Sequence, residues 1–278
     1  MPQKISKREK FKKFLKRNMT PTWAKHFSYQ VFSFLVSVAM IVGVASYAFE
    51  KSYDERKLTF VDGFTITAHT GAFDTPDNTL ESVQAAIDNN VDVFEIDVRQ
   101  RPDSTIVMSH DIVVTNTDGV EVSEAFDMIK NTDILLNLDI KETKCLKLLH
   151  DLLVDYGMLD RVFLTGIESF QADDVIENCP DVDFYINYTP SRIKIFSEDY
   201  QNKLIKMLDE KGAVGINCNH RYASLTLSNV LHDNGYKLSV WTVDKRREMK
   251  RALVNKPDNI TTHNCNELKE VIASWGNN

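Results

Sequence analysis

The chain has 278 residues, of which 43% are hydrophobic and 26% charged, and this balance excludes a disordered chain. Its 10 glycines and 7 prolines are too few for a collagen-like or low-complexity protein. The formal net charge of −7 argues against a nucleic-acid-binding protein, because contacts with phosphates need a basic surface.

Charge is distributed unevenly along the chain. The first 50 residues contain nine basic and two acidic residues, whereas residues 51–278 carry a formal charge of −14. A basic leader joined to an acidic body indicates that the two parts face different environments.

An uncharged segment of 23 residues, 27–49, follows the basic leader. As a helix it would be roughly 35 Å long, enough to cross a hydrocarbon core of ~30 Å. We therefore predict a basic segment over 1–26, a transmembrane helix over 27–49 and a folded domain over 50–278. The alternatives are a buried core helix and a cleaved signal peptide. Small residues at 46 and 48 suit cleavage by a signal peptidase. However, the apolar segment is longer than the apolar region of a typical signal peptide.

The imbalance of basic residues around the apolar segment predicts a cytoplasmic N-terminus. The acidic domain of this single-pass membrane protein would then be extracytoplasmic. The basic stretch 4–17 either lies on anionic headgroups as an amphipathic helix or, on the simpler interpretation, only sets the topology.

Beyond residue 51, runs rich in valine and isoleucine alternate with amphipathic segments, a pattern that predicts a parallel sheet with helical crossovers. Eight strands fit a single (β/α)8 TIM barrel. An open, doubly wound sheet is the alternative, but the loop after the first strand lacks a glycine-rich phosphate-binding pattern. The predicted strands are 64–68, 93–98, 134–139, 162–165, 184–187, 214–217, 238–242 and 259–262, and the clearest helical segments are 78–90, 144–157, 169–178 and 199–212.

An extra strand, 104–110, follows the second barrel strand too closely for a helix to intervene. A turn at 101–104 makes the two strands a hairpin. This hairpin would bring His110 back to the level of Glu95 and Asp97, within a residue or two.

Acidic residues at the carboxyl ends of strands are candidates for chemistry, because catalytic groups of such barrels lie there. Glu95 and Asp97 are two residues apart, so both side chains point the same way, and Asp139 ends the next barrel strand. Three carboxylates facing one point predict an oxygen-rich site for Ca²⁺ or Mg²⁺. Zinc is disfavoured because no Cys/His set has structural zinc spacing. The alternative is a set of plain ion pairs with Lys141 or Arg99.

Histidines supply the candidate acid–base groups, since histidine titrates near neutral pH. His69 follows the first strand and His110 follows the hairpin strand. Trp241, at the end of the seventh barrel strand, either lines the mouth of the pocket or packs in the core. His220 and His263 lie near strand ends and are weaker candidates.

Five short motifs follow one another in the barrel domain: His69-Thr70-Gly71, Pro76-Asp77-Asn78-Thr79, Glu95-Ile96-Asp97-Val98, His110-Asp111 and Asp139-Ile140-Lys141. A tryptophan strand at 239–243 and a closing strand at 260–262 complete the pattern. The order and spacing of these motifs over residues 60–275 resemble the glycerophosphodiester phosphodiesterase family, within the phospholipase-C-like barrels.

The resemblance implies metal-dependent hydrolysis of a glycerophosphodiester to an alcohol and glycerol-3-phosphate. It implies that His69 and His110 exchange protons with the leaving alcohol and the attacking nucleophile. It also implies that the three carboxylates hold the divalent ion and that Lys141 neutralises phosphate charge. The substrates in view are free glycerophosphodiesters, lysophospholipids and a glycerophosphate polymer of an envelope.

Several residues depart from the family pattern, among them Asp139, a predicted metal ligand where the family usually has glutamate. The family's arginine after the first histidine is Thr70 here, which offers the substrate one neutral hydroxyl, and the usual aspartate of the closing strand is His263. These departures support an alternative function, a degenerate barrel that binds a phosphorylated or envelope-derived ligand without turnover. The arginines that could replace the missing one are Arg99, Arg101 and Arg221.

The chain has four cysteines, and an extracytoplasmic domain permits disulfides. A barrel of this size does not need them. We predict buried free thiols at Cys145, Cys179, Cys218 and Cys265.

Overall fold

The computed structural model describes residues 7–18 and 20–276. The chain divides into two compact units, the first ending at Ser52 and the second beginning at Tyr53. Each unit is described by itself.

The first unit is helical and contains α1 (Lys7–Asn18) and all but the last two residues of α2 (Pro21–Asp54). The hydroxyl of Thr20 accepts the N–H of Trp23 at 3.2 Å, and Pro21 occupies the first helical position, where a missing N–H costs no hydrogen bond. Within the described residues, α2 is the one helix long and apolar enough to cross a membrane, although a signal sequence near the N-terminus also meets that criterion. Its apolar side chains are exposed, which does not fit the buried-core alternative.

The second unit is built on a ten-stranded sheet in which eight parallel strands form a closed barrel. Closure is shown by the first strand, Thr65–Ala68, which pairs with both its successor and the last strand. The predicted TIM barrel is thus confirmed, and the open sheet is wrong. The strands are β1 (Thr65–Ala68), β2 (Val93–Gln100), β3 (Ile106–Met108), β4 (Val120–Glu121), β5 (Leu135–Ile140), β6 (Val162–Glu168), β7 (Phe184–Asn187), β8 (Gly215–Asn219), β9 (Lys237–Trp241) and β10 (Asn259–Thr262).

Helices connect successive barrel strands, as the alternating pattern predicts, and their apolar faces pack on the outside of the barrel. The helices of this unit are α3 (Leu80–Asp88), α4 (Val122–Ile129), α5 (Leu146–Tyr156), α6 (Ala172–Asn178), α7 (Glu198–Lys211), α8 (Leu225–His232), α9 (Arg246–Val254) and α10 (Cys265–Ala273). The four clearest predicted helical segments correspond to α3, α5, α6 and α7.

The predicted hairpin is present but shorter than expected. β3 pairs antiparallel with β2, with Met108 opposite Val98, and β4 adds a further strand. The pairing continues one residue beyond β3, because the N–H of Ser109 donates to the carbonyl of Asp97 at 3.0 Å. His110 therefore returns to the level of the acidic strand end, as predicted.

Inside the barrel, polar side chains bond across neighbouring strands. Thr67 Oγ1 donates to Asn259 Oδ1 at 2.7 Å, and Asn259 Nδ2 donates to Ser239 Oγ at 3.0 Å. On the opposite side, Thr165 Oγ1 donates to Asn137 Oδ1 at 2.7 Å. These bonds satisfy groups that would otherwise be costly to bury, and they form a polar floor beneath the carboxyl ends of the strands.

Candidate active site

A cavity of ≈640 Å³ opens at the carboxyl ends of the barrel strands. The structure brings all but one of the predicted site residues to its wall. The predicted residues that line it are His69, Glu95, Asp97, His110, Asp139, Lys141 and Trp241.

Three carboxylates form the centre of this cavity. One oxygen from each of Glu95, Asp97 and Asp139 lies within 4.8 Å of the others. β2 and β5 are adjacent parallel strands in which Asp97 lies directly opposite Asp139. Glu95 is only 3% exposed. Burial, together with the charges of Asp97 and Asp139, raises the pKa of the Glu95 carboxyl well above its usual value.

Lys141 joins this cluster as its counter-charge. Its Nζ lies 2.8 Å from Asp97 Oδ1 and 2.7 Å from Asp139 Oδ2. Burial lowers the pKa of Lys141, but the two carboxylates more than offset this and raise it to about 12. Asp139 therefore does form an ion pair with Lys141, as the alternative interpretation of the sequence proposed. Glu95 forms no ion pair with a lysine or arginine of the described residues.

The cluster fits a divalent cation. With all four groups ionised, three carboxylates and one ammonium leave two negative charges in a buried place. Carboxylate oxygens are the donors that Ca²⁺ and Mg²⁺ prefer. A divalent cation bound by Glu95, Asp97 and Asp139 would relieve the repulsion that raises the pKa of Glu95.

Asn78 holds one of these carboxylates in place. Its Nδ2 donates to Asp97 Oδ2 at 2.7 Å, and its Oδ1 accepts the backbone N–H of Asp97 at 3.0 Å. This buried pair of bonds fixes the rotamer of Asp97. Such a partner behind a ligand sets the ligand's direction and affinity.

Thr70 is buried beneath the cavity wall and does not line the cavity. It is only 1% exposed. Its backbone N–H donates to Glu95 Oε2 at 3.0 Å, and its hydroxyl accepts the N–H of Asn78 at 2.6 Å. The expectation that Thr70 offers its hydroxyl to a substrate is corrected accordingly, because that hydroxyl is buried and already bonded.

His69 lies beside the carboxylates. Its Nδ1 is 2.8 Å from the carbonyl oxygen of Thr70 and 3.4 Å from Glu95 Oε2. His263 lines the same cavity, and its ring packs on the ring of His69. His263 Nδ1 lies 3.0 Å from Asp244 Oδ2.

His110 occupies the rim, where its side chain is 71% exposed. Its backbone carbonyl accepts two hydrogen bonds from the Arg99 guanidinium, at 3.1 and 3.0 Å. Arg99 also lies 3.6 Å from Glu142. The two histidines are thus lining residues of one cavity, one half-buried and one solvent-facing.

None of the three arginine candidates lines this cavity. Arg99 is held by the His110 carbonyl and Glu142. Arg101 is buried, and its guanidinium donates to the carbonyls of Asp118 and Gly119 at 2.7 Å each. Both therefore stabilise the loop after the hairpin. Arg221 lines an adjoining chamber.

Asn78 and Asp244 are site residues to which the sequence assigned no role. Asn78 stands in a motif of the resemblance, but nothing in the sequence says that its amide faces Asp97. Asp244 follows β9 by a few residues, so the rule that polar residues after barrel strands form the site could have found it. The side chain of Trp241 is 37% exposed at the mouth, which supports the first of its two interpretations.

The fold and the acidic cluster define the chain as an α/β barrel with its polar site at the carboxyl ends of the strands. No family model matches the chain. A glycerophosphodiester phosphodiesterase from Caldanaerobacter subterraneus subsp. tengcongensis is 21% identical over 255 residues, which cover 76% of this chain and 98% of the relative.

Solved structures share the barrel. A glycerophosphodiester phosphodiesterase from Parabacteroides distasonis has a TM-score of 0.63 at 18% identity, covering 77% of this chain and 98% of its own. An Oleispira antarctica phosphodiesterase in complex with the product sn-glycerol-3-phosphate has a TM-score of 0.63 at 18% identity, covering 78% and 98%. The resemblance to the glycerophosphodiester phosphodiesterase family that the motifs predict is thereby confirmed.

Proposed function

We propose that the protein is a metal-dependent phosphodiesterase that hydrolyses glycerophosphodiesters to an alcohol and glycerol-3-phosphate. The observation that carries the proposal is the joining of three carboxylates, Lys141 and two histidines in one cavity. The relative and one of the two structural neighbours described above are named glycerophosphodiester phosphodiesterases. The other neighbour is named a phosphodiesterase and holds the product sn-glycerol-3-phosphate.

Glu95, Asp97 and Asp139 would hold the divalent cation, Ca²⁺ or Mg²⁺. When bound, it supplies positive charge to the phosphoryl oxygens. Lys141 keeps its proton at neutral pH, because its pKa is about 12, and adds a further positive charge beside the same carboxylates. Both charges favour an anionic diester in a site that would otherwise repel it.

His69 and His110 transfer the protons. Hydrolysis of a phosphodiester expels a poor alkoxide leaving group, so one histidine protonates the leaving oxygen while the other accepts the proton of the nucleophile. A neighbouring hydroxyl of the glycerol moiety is the nearest nucleophile. Its attack gives a cyclic phosphate that water then opens, and proximity contributes to the rate. Trp241 forms the apolar part of the cavity mouth.

The test uses the full-length chain in detergent with glycerophosphocholine, and follows glycerol-3-phosphate release with Ca²⁺, with Mg²⁺ and with chelator. We expect metal-dependent release that falls roughly 10²–10⁴-fold in His69→Ala and in His110→Ala, the usual size of a general acid–base contribution. His150→Ala is the matched control, because His150 lies on α5 outside the cavity. If His69→Ala and His110→Ala released glycerol-3-phosphate as fast as the His150→Ala control, the assigned roles would be contradicted.

A second function is supported by the absence of an arginine from the wall of the cavity within the described residues. A barrel of this kind would bind a phosphorylated or envelope-derived ligand without turnover. Titration with Ca²⁺, combined with the hydrolysis assay, distinguishes the two functions. The binding function is favoured if the wild-type chain binds Ca²⁺ but hydrolyses no diester. In that case Asp97→Asn should weaken Ca²⁺ binding, and the exposed Asp155→Asn should not.

For location, we propose that α2 is an uncleaved membrane anchor with a cytoplasmic N-terminus and an extracytoplasmic barrel. Its length, its apolar composition and the basic residues before it support this proposal. Such an anchor suits envelope- or lipid-derived substrates. N-terminal sequencing of the chain from the membrane fraction tests it, because a start near residue 49 would identify a cleaved signal peptide instead.

A further inference from the structure

A second chamber of ≈640 Å³ adjoins the candidate active site. It shares three wall residues with that site, Asn187, Asn217 and Trp241. A volume of this size accommodates a ligand much larger than glycerol. The chamber is therefore roomy enough for a substantial part of a substrate.

Strand register places this chamber over a different part of the barrel from the carboxylates. Asn187 on β7 is opposite Asn217 on β8, and Asn219 on β8 is opposite Trp241 on β9. The carboxylates come from β2 and β5. The two substituents of one phosphodiester can thus lie on different sides of the mouth.

Asn217 carries a buried polar atom without a partner. It is 7% exposed, its Nδ2 donates to Asn187 Oδ1 at 3.0 Å, and its buried Oδ1 has no hydrogen-bond partner among the described residues. Unpaired buried acceptors are rare, because their desolvation is not repaid. Asn217 lines both chambers, so a small rotation of its amide would bring this oxygen to a hydroxyl of a bound ligand.

Arg221 supplies an uncommitted positive charge to the same chamber. Its guanidinium has no hydrogen bond or ion pair with the described residues, and only its backbone N–H is bonded, to Asn219 Oδ1 at 3.1 Å. The acidic residue of the wall, Glu168, already accepts the backbone N–H of Gln171 in a capping box. A free guanidinium fork is suited to phosphate or another anion.

We infer that this chamber binds the alcohol moiety of the substrate and favours a polyol that carries a second phosphate. Asn217 accepts a hydroxyl of the polyol, and Arg221 binds the second phosphate. The inference rests on the proposed function and narrows its substrate class. It favours a diester with repeated glycerophosphate units over one whose alcohol is choline.

The test compares kcat/KM for glycerophosphocholine, glycerophosphoglycerol and a bis(glycerophospho)glycerol, which differ only in the alcohol moiety. We expect Arg221→Gln to lower kcat/KM for the doubly phosphorylated substrate about tenfold or more, the size of a charged hydrogen bond, and to change the other two less than twofold. Arg221→Lys should retain part of the effect, because it keeps the charge but not the fork. Arg247→Gln, an exposed arginine on α9 outside both chambers, is the matched control.

A binding measurement separates failure of this inference from failure of the proposed hydrolysis. Bis(glycerophospho)glycerol is titrated into the full chain in chelator, and Trp241 fluorescence is followed with Trp241→Phe as the blank. Binding weakened in Arg221→Gln supports the chamber even if nothing is hydrolysed. The inference is overturned if Arg221→Gln lowers kcat/KM equally for all three substrates, or if it leaves binding of bis(glycerophospho)glycerol unchanged. Neither result contradicts the proposed phosphodiesterase activity.

Discussion

The ring of His69 packs on the ring of His263, with centroids 4.3 Å apart and planes inclined by 34°. His263 is itself fixed, because Asp244 accepts its backbone N–H at 2.9 Å and lies 3.0 Å from its Nδ1. Burial raises the pKa of the Asp244 carboxyl, but the bonds from His263 outweigh this and lower it. The orientation of a candidate catalytic histidine at the end of β1 thus depends on a residue after β10.

We predict that His263→Ala lowers kcat about tenfold with a small change in KM, because His69 loses the ring that limits its rotation and small misplacements are costly in rate. His263→Phe should restore much of kcat, since it restores the packing surface. Steady-state kinetics on both variants provide the measurement. A KM effect alone would show that His263 contacts the substrate instead.

We predict that Gly166→Ala weakens Ca²⁺ binding at least tenfold and destabilises the barrel. Gly166 has φ +78, and an added Cβ would lie 2.2 Å from Asp139 Oδ1 and 2.5 Å from the carbonyl of Ile140, so the carboxylate must move. Gly157→Ala is the control, because Gly157 has φ +63 but nothing within 4 Å of an added Cβ. It should cost only the left-handed strain of about 1–2 kcal/mol. Calcium titration and thermal unfolding would show this, and equal calcium affinity in the two variants would contradict it.

We predict that Arg99→Ala lowers kcat several-fold, because the guanidinium that donates twice to the His110 carbonyl is lost and the exposed loop is freed. Arg99→Lys should be intermediate, since one ammonium cannot reproduce the fork. Arg247→Ala should match the wild type. Turnover of glycerophosphocholine by the four proteins is the measurement, and wild-type turnover by Arg99→Ala would show that His110 needs no such support.

We predict that native protein does not react with an aromatic disulfide reagent at pH 8. All four cysteines are free and buried, and burial raises the pKa of each thiol to about 12. The thiols therefore stay protonated at this pH, and the thiolate is the reactive form. In denaturant all four should react. Fewer reactive thiols in denaturant under non-reducing conditions would instead show a disulfide.

Much of this barrel was predictable from local sequence. The alternation of apolar strands with amphipathic helices depends on residues close together in the chain, so it indicated all eight barrel strands. The spacing of Glu95 and Asp97 likewise predicts that both carboxylates face one side of a strand. The hairpin is also predictable, because too few residues separate the second barrel strand from the strand that ends at His110 for a helix to lie between them.

Partnerships between distant residues could not be read from the sequence. The motif predicts Thr70 at the substrate, yet the closure of the barrel buries it against Asn78 and Glu95. Within the part of the chain that the structure describes, the Arg221 guanidinium and the Asn217 Oδ1 are left without a partner. Neither feature has a local sequence pattern, because each depends on which groups neighbouring strands leave unbonded.

The sequence by itself determined the barrel, the apolar helix before it and the set of acids and histidines at the strand ends, since these follow from periodicity and strand direction. The tertiary structure alone decided the individual contacts among those residues. Ring closure joins β1 to its neighbours on both sides, and His263 after β10 reaches His69 after β1. Side-chain packing over the adjacent strands β2 and β5 places Lys141 between Asp97 and Asp139. Such contacts are set by sheet closure and side-chain packing, which no local spacing encodes.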